Sequence, residues 1–129
     1  MKYILPAMAL FASLSVFASA SFEERVRAAN RLEHAADQQR YQASLTANLK
    51  PKVTRLIGGC RGSLNGARPR PFVLVGDIVR SASLENIMVK PNSPFARCFA
   101  SALSRVTFPK PPGSYKGDGY PFTMDMNFH

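Results

Sequence analysis

From Ser21 onward the chain alternates between two hydrophobic rhythms. Phe22, Val26, Ala29, Leu32 and Ala36 fall three or four residues apart, the spacing of one helix face. Ser21-Phe22-Glu23-Glu24 has the S-x-x-E form of a capping box, which predicts a helix start at Ser21. Leu45 and Leu49 continue the rhythm imperfectly, so one helix is expected over Ser21–Leu49. Its face is rich in alanine and weakly hydrophobic, which suits a helix lying on a surface rather than filling a core. Pro51 is expected to interrupt it. Val53, Leu56 and Ile57 then predict one or two further turns, ended by Gly58-Gly59.

The rhythm next changes to that of strands. Arg61–Pro71 reads as a loop, broken by Gly62, Gly66, Pro69 and Pro71. FVLVGDI, Phe72–Ile78, is short, apolar and β-branched, and predicts a buried strand. Ser81–Asn86 is read as a turn and Ile87–Lys90 as a second strand, paired with the first as an antiparallel hairpin. Ser93 and Pro94 then mark a helix N-cap and first position. Phe95, Cys98, Phe99, Ala102, Leu103 and Val106 form its apolar face. FPKPPG, Phe108–Gly113, is expected to run extended, and Ser114–Gly119 to form a loop. In PFTMDMNFH the apolar residues Phe122, Met124, Met126 and Phe128 alternate with Thr123, Asp125, Asn127 and His129. That alternation predicts a third strand over Tyr120–Phe128 with one wet face.

The fold class read from these elements is α+β. An N-terminal helix precedes a small ββαβ unit, in which one helix packs on a three-stranded antiparallel sheet. The boundaries are a leader at 1–20, a helical segment at 21–57 and the α+β unit at 58–129. The leader reading rests on Lys2, the apolar run Ile4–Phe17 and the small-x-small site Ala18-Ser19-Ala20. It predicts export, hence a periplasmic location, with cleavage after Ala20. The run is short for a membrane span, and none is expected after cleavage.

Charge and cysteine narrow the picture further. The formal net charge is +9, and no acidic residue lies between Asp37 and Asp77. Arg40, Lys50, Lys52, Arg55, Arg61, Arg68 and Arg70 all fall there. Such a stretch steers a protein towards a polyanion, an acidic partner or an anionic surface, or simply keeps it soluble. Tyr41 is the only aromatic residue interleaved with these cations, and an exported chain rarely meets nucleic acid, so nucleic acid is not an expected partner. The even cysteine count, Cys60 and Cys98, points to a disulfide in an exported chain. A metal site or a reactive thiol is the competing reading. If bonded, Cys98 on its helix reaches Cys60 only where Cys60 sits at the helix–sheet margin.

Cys60, FVLVGDI, IMVKP, FARCFASALSRV, the FPKPP segment and the terminal alternating strand together resemble the C-terminal domain of TonB-type energy transducers. The variants in which a helix cysteine pairs with one before the first strand are the most similar. The resemblance runs from Cys60 onward and implies a ββαβ fold. It also implies binding of a short receptor peptide by strand addition at a sheet edge. Energy transducers carry a membrane anchor and a long Pro-rich spacer, in place of which this chain has a cleavable-looking leader and an Ala-rich helix. Binding, rather than force transmission, is the property expected to carry over.

Little in the chain points to catalysis. His34 and His129 are the only histidines, one on a polar helix face and one at the last position. Asp77, Glu85, Asp118 and Asp125 show no spacing that implies convergence. Met88, Met124 and Met126 could suggest a soft-metal site, but the pair Met124 and Met126, two residues apart on a strand, reads as core. No cofactor, metal or catalytic group is expected, and a hydrolase built on Asp77 or His34 is the least favoured reading. The favoured one is a non-enzymatic adaptor that recognises an envelope protein through a free sheet edge, that of Tyr120–Phe128 or of Phe72–Ile78. The residues expected to take part are Lys50, Lys52, Arg55, Arg68 and Arg70, with Tyr120, Thr123, Asp125 and Asn127. The alternative is a cationic or inhibitory protein that binds an anionic surface or glycan. A homodimer through a sheet edge is also open.

Overall fold

The computed structural model describes residues Ala20–Phe128. The leader reading and His129 lie outside them, apart from Ala20. Helix α1 spans Phe22–His34 and a 3₁₀ turn spans Ala36–Gln38. Helix α2 spans Gln39–Gly59, and a second 3₁₀ turn spans Arg61–Leu64. Strands β1, Phe72–Ile78, and β2, Leu84–Lys90, follow. Helix α3, Pro94–Leu103, and strand β3, Tyr120–Met126, complete the order. The sheet is antiparallel with strand order β2-β1-β3. The fold is therefore α+β, with N-terminal helices ahead of a ββαβ unit.

The expected single helix over Ser21–Leu49 is two helices. Ala35 is extended, at φ −70° and ψ 132°, and breaks the run. The Gln39 side chain donates to Glu33 O and Ala35 O, occupying carbonyls that a helix end leaves without partners. The expected stop at Pro51 does not occur. Pro51 sits inside α2 on its exposed side. Packing of Val53, Leu56 and Ile57 against the core carries the helix past it. Strand β2 begins earlier than Ile87 because the turn is tighter than expected, with Val79 N donating to Ser83 O.

Register divides the sheet into two faces. Phe72, Leu74 and Ile78 of β1 lie beside Met126, Met124 and Tyr120 of β3. They meet Tyr41, Leu45 and Leu49 of α2 and Phe95, Ala96, Phe99 and Leu103 of α3 in one core. Helices α2 and α3 thus share a layer. Gly76 belongs to this face, where an added Cβ would come within 2.8 Å of Leu84 Cδ1. Val73, Val75 and Asp77 point the other way and pair with Asp125, Thr123 and Pro121. Helix α1 lies over this second face, next to β3 and β1.

The expected helix caps form. Ser21 Oγ accepts from Glu24 N and Ser21 N donates to Glu24 Oε1, completing the capping box. Ser93 Oγ accepts from Ala96 N. Cys60 caps α2 and bonds to Cys98 of α3, with Cα atoms 5.8 Å apart. The bridge ties the two helices of one layer together, and Cys60 is buried.

Candidate functional site: the sheet edges and the charged faces

Strand order decides which edges are open. β1 lies in the middle, paired on both sides. The expectation of a binding edge at Phe72–Ile78 is therefore overturned. β3 is an edge in topology, yet α1 and α2 close over it. Ala29 and Glu33 of α1 and Gln42, Leu45, Thr46 and Leu49 of α2 surround Pro121–Met124 and leave a cavity of only about 150 Å³. Gln38 of the α1–α2 connection is tied to the first residue of this strand, accepting a hydrogen bond from the Tyr120 hydroxyl.

β2 is the edge left exposed. Its pairing to β1 is regular at Val73↔Lys90, Leu74↔Val89 and Val75↔Met88, and shifts between Val75 and Asp77. Asn86 sits in this irregularity at φ 54°, a left-handed conformation that asparagine tolerates better than most residues. The Asn86 side chain donates to Asp77 Oδ2 at 3.2 Å. The Asn86 backbone carbonyl accepts from Arg25 Nη2 at 2.6 Å. Arg25 and Asp77 also form an ion pair at 3.6 Å, with side chains 16% and 29% exposed. This trio anchors α1 to the sheet at the bulge. Beyond it, Ile87–Lys90 runs on with an exposed outer side. Met88 is 46% exposed, the large hydrophobic residue most open to solvent among the described residues. Beside it, between the first two turns of α1 and the sheet, lies a cleft of about 920 Å³. Phe22, Ala28, Asp77, Ile87 and Met88 are among its walls.

The end of β2 is held from α1 as well. Lys90 Nζ donates to Glu23 Oε1 at 2.8 Å and lies 5.6 Å from the centre of the Phe22 ring. The Lys90 hydrogen bond lowers the Glu23 carboxyl below its ordinary value. The backbone N–H of Ser21 does the same for Glu24.

The residues expected to bind a partner do not converge. Tyr120 is fully buried and belongs to the core, so it offers nothing to a partner. Its hydroxyl donates to Gln38 Oε1 at 2.8 Å and accepts from Gln42 Nε2 at 3.1 Å. Thr123 is half-buried and donates to Leu74 O. Asp125 and Asn127 are exposed past the covered part of β3. Lys52 and Arg55 do meet, in a shallow groove with Leu56, Val106 and Thr107. Lys50 points elsewhere, since two residues along a helix turn it by roughly 200°. Arg68 and Arg70 are exposed on the segment leading into β1.

No catalytic constellation forms among these side chains. Asp77 is occupied by Arg25 and Asn86. His34 is exposed, with Nδ1 2.8 Å from Asn30 O. Met88 lies on the face opposite Met124 and Met126, because it pairs with Val75 and they pair with Leu74 and Phe72. No group of three or more His, Cys, Asp or Glu that could hold a metal ion occurs among the described residues. No helix among them is long and apolar enough to cross a membrane.

The β2 edge, Met88 and the Arg25–Asp77–Asn86 anchor were all missed from sequence. Met88 fell inside a short apolar run read only as a hairpin strand, and strand order has no signature in hydrophobic period. Compared with protein-family models, curated proteins and solved structures, the chain gives no significant match.

Proposed function

We propose that this chain is an exported, non-enzymatic binding protein of the cell envelope that recognises a protein partner by strand addition at β2. One observation carries the reading. The exposed side of Ile87–Lys90 borders the cleft of about 920 Å³ beneath α1. An extended partner segment bonding to that edge would send alternate side chains towards the cleft. Backbone bonds would supply affinity, and Met88 with Phe22 would select an apolar side chain. The resemblance to the TonB C-terminal domain supports the same mode of binding, moved from the last strand to β2 because α1 and α2 occupy the edge of β3.

The test is capture of envelope proteins on the immobilised chain, followed by mapping of the contact segment as a synthetic peptide. The peptide is expected to shift the amide resonances of Ile87–Lys90 and to stay bound at high salt. Met88→Glu is expected to weaken it about tenfold or more, by placing a charge against an apolar side chain. Resonance shifts confined to other elements, or full binding by Met88→Glu, would refute the assignment.

A further inference from the structure

The fold sorts charge by layer. Two stretches of sequence carry no acidic residue, one between Asp37 and Asp77 and the other between Glu85 and Asp118. The first contains α2, the second α3 and the FPKPP segment. Packing both helices on one sheet face, with Cys60 bonded to Cys98, joins these stretches into a single surface. Arg55, Arg61, Arg97, Arg105 and Lys110 are exposed on it. The eight acids lie at the margins of this surface or away from it. Glu23, Glu24 and Glu33 belong to α1, Asp77 and Asp125 face the α1 side, Glu85 lies on β2, Asp37 stands in the turn before α2 and Asp118 in the loop before β3.

At one place this cationic surface has an apolar floor. The groove of about 390 Å³ formed by Lys52, Arg55, Leu56, Val106 and Thr107 sits between α2 and the end of α3. Lys52 Nζ is held there by Asn48 Oδ1 at 3.2 Å and Thr107 O at 3.3 Å. Both partners are neutral, so the ammonium keeps its full charge towards solvent. Arg55 makes no hydrogen bond or ion pair to a described residue. A held Lys52 and an unpaired Arg55 beside the half-buried Leu56 and Val106 match a layer with anionic phosphates outside and acyl carbon just beneath. A sulfated or carboxylated glycan would set hydroxyls against that floor.

We infer that the α2–α3 face is a docking surface for an anionic phospholipid membrane. It does not depend on the β2 reading, since it uses the opposite face of the sheet. Each cation near such a surface contributes enough for roughly a fivefold change in affinity.

Co-sedimentation of the purified full chain with vesicles tests this, using phosphatidylglycerol mixed into phosphatidylcholine and phosphatidylcholine alone. Binding is expected only to the anionic vesicles, and is expected to vanish near about 1 M salt, where the screening length is about 3 Å. Arg55→Ser with Arg105→Ser should lose about 25-fold, two steps of roughly fivefold. Arg27→Ser, on the opposite face, should change little. Both substituted arginines are exposed, so the variants are expected to fold, and unchanged thermal unfolding checks this. Equal binding to neutral vesicles, or equal losses for Arg27→Ser, would overturn the assignment. Retention on heparin without binding to anionic vesicles would also overturn it and give the face to a glycan.

Discussion

Tyr120 shows how a residue on a strand that reads as half wet can be fully enclosed. Its ring stands edge-on to those of Tyr41 and Tyr115, at 4.7 and 4.9 Å between centres. Its hydroxyl is shared between Gln38 and Gln42, and that of Tyr41 donates to Pro109 O at 2.7 Å. Gln38 is itself only 5% exposed. Replacing Tyr120 with Phe keeps the ring and strands the Gln38 carboxamide, which should cost about 1–3 kcal/mol. Urea unfolding of the variant measures it. The same cluster sets an alkaline limit. Burial raises the phenols of Tyr41, Tyr115 and Tyr120 above the ordinary value, with the Asp77 charge adding for Tyr115 and the Gln42 hydrogen bond opposing for Tyr120. A phenol whose folded value lies above its unfolded one holds its proton longer when folded. Its contribution is complete below the unfolded value, about 10, and is lost as pH rises through the folded one. The denaturation midpoint should therefore fall from about pH 10 upward, and Tyr41→Phe should flatten that fall.

At the scale of elements, α1 differs from everything else in the fold. Ala29 is its only buried residue. Besides Ala29 and the half-buried Leu32, what holds it is the Arg25–Asp77–Asn86 trio and the Lys90–Glu23 pair, and an ion pair as exposed as the latter adds little. Amide exchange should thus be faster in Phe22–His34 than in α2 or β1. Arg25→Ala should accelerate it about fivefold further while leaving β1 unchanged. Much of this level was legible beforehand. The capping box at Ser21, the Ser93-Pro94 start of α3 and the alternation in β3 are local patterns, and local patterns survive folding. The position of β1 between β2 and β3 was not legible, because pairing is a relation between distant segments. Nor was the continuation of α2 through Pro51, where packing of Leu56 and Ile57 overrides a local breaker. The candidate site suffered most. Lys52 and Arg55 do share a groove, but Tyr120 turned inward, and the exposed edge belongs to a strand whose first half read as a turn.

For the whole molecule, the Cys60–Cys98 bridge is the principal covalent constraint. It spans 38 residues and joins the two helices that roof the core. In the chain-entropy model a loop of that size stabilises by about 3–4 kcal/mol, a large share of the usual 5–15 kcal/mol for a domain. Unfolding free energies extrapolated from denaturant titrations with and without a reductant should differ by that amount, and a difference near zero would mean that the core alone sustains the fold.

The strand order bears on when the protein can fold. β3 forms one whole side of the central strand, pairing Phe72 with Met126 and Ile78 with Tyr120. Tyr120 is also the residue on which Tyr41 of α2 rests. A nascent chain made only as far as Gly119 has neither the strand nor that ring. Its remaining core stays open, however long it waits. Contacts this distant in sequence are slow to close, so the central strand acquires its second partner only after every other element of the sheet has been made.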